Sequence, residues 1–175
     1  ASACAQLSAC LTLAEQWAGV SQEPAAVPCM EEAVLSFLRS CEVLTSDWKQ
    51  MLEQAANAPE PENLLAYTPA LDQEIRLFTM DMLYRYYLRA AYAETPEAEI
   101  LPVQMTAFAV CIVLLYSRRL GFHTAEQRLR IWQLFVKEIE YDGDNLEELE
   151  WQLETNAAFS PAAFRAYFAS PGGVQ

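Results

Sequence analysis

Two polar stretches of this sequence carry residue types that could do chemistry. From Glu138 to Glu154 the chain holds eight acidic residues and no base, in a stretch that opens as KEIEYDGDNLEELE at Lys137. Carboxylates at that density could bind a hard cation or act as general acid and base. The same acids also suit a first helical turn, where the helix dipole favours negative charge, and a solvated face. Asp142-Gly143-Asp144-Asn145 does not make a calcium loop, because Leu146 takes a ligand place and Gly143 comes too early.

The second stretch is aromatic and basic: Tyr84, Arg85, Tyr86, Tyr87, Arg89 and Tyr92 lie close together. Asp81, Arg85 and Arg89 follow at four-residue steps, which on a helix predicts an ion-paired ladder. Turned inward instead, Arg85 beside Tyr84 and Tyr87 would form a clamp for an anion or another ligand.

Other chemistries find little to work with. No Gly-x-Gly occurs, so a phosphate-cradling turn has no sequence signal. The single His123 sits just before a helix cap, a place for a surface residue, and a catalytic triad or a Cys-His pair would have to run through it. The five cysteines (Cys4, Cys10, Cys29, Cys41, Cys111) form no Cys-x-x-Cys pair, and no metal set is expected. Their odd count and scatter predict reduced thiols in a cytoplasm. A net charge of −13 with only eleven Lys and Arg argues against nucleic acid and anionic lipid as partners.

The elements that must position these residues read as helices throughout. The stretch ILPVQMTAFAVCIVLLY, Ile100 to Tyr116, is apolar on every side when wound as a helix, which marks a central buried helix, about 97–119. It is shorter than the ~20 apolar residues a membrane span needs, carries Pro102, Gln104 and Thr106 early, and is closed by Arg118 and Arg119. A buried core helix is therefore expected rather than a span. Around it, Cys4, Leu7, Leu11, Ala14 and Ala18 form a helical stripe stopped by Gly19, and a second helix runs from about Cys29 to Val43.

Asp47 with Gln50 predicts the cap of a short third helix, and 57–63, with Pro59 and Pro61, is a linker or surface loop. Thr68-Pro69 opens a long helix with the stripe Leu71, Ile75, Phe78, Met82, Tyr86 and Ala90. Thr95-Pro96 repeats that cap before the central helix, and Thr124 with Gln127 forms a capping box for Ala125 to about Tyr141, with the stripe Leu129, Trp132, Val136 and Ile139. Gly143 interrupts, Asp144 with Glu147 caps the next helix, and Ser160-Pro161 starts a last short one through Phe164 and Phe168. No stretch alternates like a half-buried strand. The expected fold is all-α: one irregular bundle of about seven to nine helices in a single domain, 1–175.

Two stretches together resemble a known family. Leu83-Tyr84-Arg85-Tyr86-Tyr87, then an apolar helix, then KEIEYDGDN is similar to the C-terminal helical part of bacterial flagellin lysine-N-methylases. In that family a tyrosine- and arginine-containing helix precedes an apolar one, and an Arg-Glu-Ile-Glu-His run follows with an asparagine a few residues on. The matching positions are Arg85, Glu138, Ile139, Glu140 and Asn145, while Lys137 replaces the arginine and Tyr141 the histidine. The match covers about residues 75–160.

The resemblance implies S-adenosylmethionine as the methyl donor and flagellin or another protein as the substrate of a longer parent. It also implies a metal or iron–sulfur cluster in an N-terminal cysteine-rich segment that Cys4, Cys10 and Cys29 do not reproduce. Since the chain begins at Ala1 rather than Met, it is expected to be a fragment lacking that segment and inactive alone. Within it, Glu138, Glu140, Tyr141 and Asn145 are the catalytic candidates, and Arg85, Tyr84 and Tyr87 the substrate- or ligand-binding ones, gathered near one end of the bundle. The rival expectation is a non-catalytic module that holds a partner protein or apolar ligand.

Overall fold

The computed structural model describes residues 1–19, 29–59, 65–90 and 100–169; the side chains of 87–90 are not described. Among the described residues there are eight α-helices and no strand, and seven of the helices pack around one buried helix. The eight are α1 (Ala3–Ala18), α2 (Met30–Ser40), α3 (Ser46–Asn57), α4 (Pro69–Ala90), α5 (Ile100–Leu120), α6 (Ala125–Phe135), α7 (Gly143–Thr155) and α8 (Pro161–Ala169). A π-helical turn, Val136–Glu140, continues α6, and a 3-10 turn, Ala157–Phe159, joins α7 to α8.

Helix α5 is the axis of the packing. It is long and apolar enough to cross a membrane by composition, yet 94% of its most apolar window is buried by the protein itself. Phe108 stands at the centre, edge-on to Phe37 of α2 and to Phe159, with ring centroids 5.4 and 5.3 Å away. Near its start the polar residues of α5 are satisfied internally, whereas the Tyr116 and Ser117 hydroxyls further along are buried without a hydrogen-bond partner among the described residues. Thr106 bonds back to the Pro102 carbonyl at 2.7 Å. Gln104 donates both amide hydrogens across the core, to the carbonyls of Leu153 at 2.9 Å and Phe159 at 3.0 Å, closing the ends of α7 and the 3-10 turn. At its far end Arg118 and Arg119 grip buried Glu31, and Arg119 also reaches Glu32 at 3.0 Å, which seats α2 on α5. The start of α5 expected at about 97, with its Thr95-Pro96 cap, falls outside the described residues.

Most of the expected stripes face inward. Leu71, Ile75, Phe78, Met82 and Tyr86 of α4 are all buried, as are Cys4, Leu7, Leu11 and Ala14 of α1. Gly19, at φ 67°, ends α1 in the left-handed conformation that glycine tolerates. The Thr124–Gln127 capping box is complete, and the Ser160 hydroxyl accepts from Ala163 N–H at 3.3 Å to start α8.

Four local expectations are corrected. Helix α2 ends at Ser40, short of Val43, and Leu44 is exposed. Helix α3 is capped by Thr45, whose hydroxyl accepts from Trp48 N–H, rather than by Asp47, which pairs instead with Arg130 of α6. Helix α7 is capped by Asp142, which accepts from Asn145 N–H at 2.9 Å; Gly143 therefore begins the helix rather than interrupting. In α6 the buried face is Arg128, Ile131, Trp132, Leu134 and Phe135, leaving Leu129 exposed. Arg128 turns inward because Glu74 of α4 takes its guanidinium through two bonds, 2.6 and 2.9 Å.

Candidate functional site

The π-helical turn positions most of the acidic candidates, and successive carboxylates leave it in different directions. Glu138 is fully buried. One carboxylate oxygen accepts from the Leu44 N–H at 2.7 Å and the other from the Thr45 hydroxyl, the same hydroxyl that caps α3. Asn145, 3% exposed, lies beside it. Its amide donates to the carbonyls of Glu42 and Glu138, each at 2.8 Å, while its oxygen accepts from the Glu42 N–H at 2.9 Å. Glu138 and Asn145 thus clamp the α2–α3 connection against the π turn and the start of α7, and every bond they make is to the chain itself.

Two residues on, Glu140 faces α4. Its side chain is 6% exposed and pairs with Arg85, which also bonds Asp81 at 2.7 Å one helical turn earlier. The ladder expected from sequence is therefore the observed arrangement at Asp81 and Arg85, extended by Glu140 from a different element. Burial raises the Glu140 carboxyl above its ordinary range, outweighing the attraction of Arg85. One Glu140 oxygen and the Arg85 Nε are buried without a hydrogen-bond partner.

The tyrosine candidates diverge from this pair. Tyr141 is 82% exposed and Tyr84 73% exposed, whereas Tyr86 is buried in the core. The Tyr87 side chain lies outside the described residues. The structure therefore brings together Glu138 with Asn145, and Arg85 with Glu140. It leaves Tyr84 and Tyr141 standing apart in solvent. No group of three or more metal-ligating side chains converges among the described residues.

Sequence reasoning missed two things. One is the receiving side of the clamp, Glu42, Leu44 and Thr45, whose contribution is backbone or a single hydroxyl and so has no motif. The other is a groove of about 390 Å³ lined by Cys10, Leu13, Ala14 and Trp17 of α1, Leu83 and Tyr84 of α4, and Val103 of α5. A signal for it was present: Leu13 and Trp17, four residues apart, are large apolar residues outside the buried stripe of α1.

Fold and site together define an all-helical bundle whose buried polar groups bond to the chain's own backbone and to one another. No family model, curated protein or solved structure matches it.

Proposed function

We propose that this chain is the helical domain of a lysine-N-methylase-like protein, and that within it the matched polar residues hold the domain's shape. One observation carries the reading. The positions shared with the methylase run are those whose side chains are buried or bonded: Arg85 to Glu140, Glu138 and Asn145 in the clamp, and Ile139 wholly in the core. The two that depart from it, Lys137 and Tyr141, are exposed and free to vary without cost to packing. A run held by packing in this way is expected to persist in a relative whatever its surface became.

On this reading S-adenosylmethionine and the lysine of flagellin or another protein are handled by the parent protein. The test is methyl transfer to protein lysine by the full-length parent, read by mass spectrometry, beside calorimetric titration of this chain with S-adenosylmethionine. Transfer by the parent with no saturable heat from the isolated chain is the expected pair. A parent that moves no methyl group to lysine would remove the proposal.

A second reading, a non-catalytic interaction module, is favoured by a different observation. The carboxylates of Glu138 and Glu140 are spent on internal partners, while the concave surface described above is apolar and lies on α1, α4 and α5.

A further inference from the structure

The groove between α1 and α4 does not end at its rim. Tyr84, which lines it, also belongs to an exposed stripe on α4, Leu77, Met80 and Tyr84, spaced three and four residues apart. On α1 the groove continues into exposed Leu13 and Trp17. Among the described residues, exposed Leu13, Trp17 and Tyr84 thus share this groove, and helical spacing carries the same side of α4 on through Met80 and Leu77. The other described large apolar side chains that face solvent, Val43, Leu44, Leu129, Tyr141 and Trp151, are on other elements.

Charge decides what fits there. Helix α1 has a single charged residue, Glu15, and that side chain is nearly buried and paired with Arg165 of α8. Among the described α4 side chains on this side the charges are paired: Asp81 is shared with Arg85, and Arg76, which reaches across to Gln6 and the Ala1 carbonyl, is held by Asp72. The face is close to neutral on a chain of net charge −13. A basic partner would find its counter-charges elsewhere, on α7, where Asp144, Glu147, Glu148 and Glu154 are exposed. In a two-fold contact the same patch meets itself, which a charged patch opposes and a neutral apolar one permits.

We propose that the α1–α4 face is a self-association surface, on which a second copy of this chain packs its own α1 and α4 to make a four-helix contact about a two-fold axis. The inference is independent of the methylase reading, since it concerns a different face and a different readout.

The experiment is sedimentation equilibrium of the chain from low to high micromolar concentration, repeated for Met80→Glu and Leu13→Glu. These side chains are exposed, so both variants should keep the parent melting temperature. The expected result is a mass rising toward twice 19.7 kDa for the parent chain and remaining at 19.7 kDa for both variants. A parent chain that stays monomeric across the range overturns the proposal and leaves the groove to an unlike partner. A dimer that survives both substitutions overturns it equally, because the contact would then lie on another face.

Discussion

Replacing Asn145 tests the clamp most directly, because its three bonds can be lost separately from its shape. Asn145→Ala removes two donors and one acceptor. Glu42 belongs to an exposed connection, so its N–H and carbonyl regain water, and each lost bond costs about 1 kcal/mol. The Glu138 carbonyl bond is buried, and an unsatisfied group there costs roughly 1–3 kcal/mol. The sum is about 3–5 kcal/mol, a melting temperature lower by roughly 10 °C for a chain of this size.

Asn145→Asp should be no better, although it is isosteric. It keeps an acceptor for the Glu42 N–H but sets a carboxylate oxygen against two carbonyl oxygens at the 2.8 Å now spanned by N–H bonds. Urea unfolding followed by tryptophan fluorescence gives both values, provided the m-value is unchanged. An Asp variant within about 1 kcal/mol of the parent would show that the amide is not held as described, and the clamp argument would fail with it.

Glu140 and the thiols give further checks. Since burial raises the Glu140 carboxyl in the folded state, folding favours its protonated form, and that contribution fades as pH rises through the carboxylate range. Relative to the parent, Glu140→Gln should therefore look progressively better as the pH of unfolding is raised from acid to neutral; a pH-independent difference would contradict the assignment. Burial also pushes the Cys4 thiol up to about 11 and Cys41 to about 12, and holds Cys111 well above its usual value. In native protein a thiol reagent at mildly alkaline pH should label exposed Cys29 first, with Cys4, Cys41 and Cys111 reacting only on unfolding. Rapid labelling of all five would refute the packing of α1 against α5.

What could be read from sequence was whatever lies within one helix. The α4 stripe from Leu71 to Tyr86 closes fifteen residues past its first member and the Thr124–Gln127 box three past its own, and both formed where expected. The caps of α3 and α7 were each expected two residues late. In both places two capping residues stand in succession, Thr45 and Asp47, Asp142 and Asp144, so local pattern allows either. At α3 a distant residue joins the earlier site: Glu138 is 93 positions from Thr45. The clamp and the Arg85–Glu140 pair are of the same kind, spanning 103 and 55 positions with no periodicity to announce them. Arg128 shows the reverse error, a charged residue turned inward by a partner 54 positions earlier.

Gln104 also bears on how the chain is made. Its amide waits for the carbonyls of Leu153 and Phe159, 49 and 55 residues further along. At ribosomal rates of about 5–20 residues per second, that is an interval of some seconds. During it α5, whose most apolar window has a mean hydropathy of 2.0, has emerged with its C-terminal partners α7 and α8 still unmade and part of its sheath missing. Nascent chains in that interval present the segment most easily mistaken for a membrane anchor or captured by a holding chaperone. Synthesis halted between α5 and α7 should accordingly yield aggregation or chaperone retention, relieved once the C-terminal helices are translated.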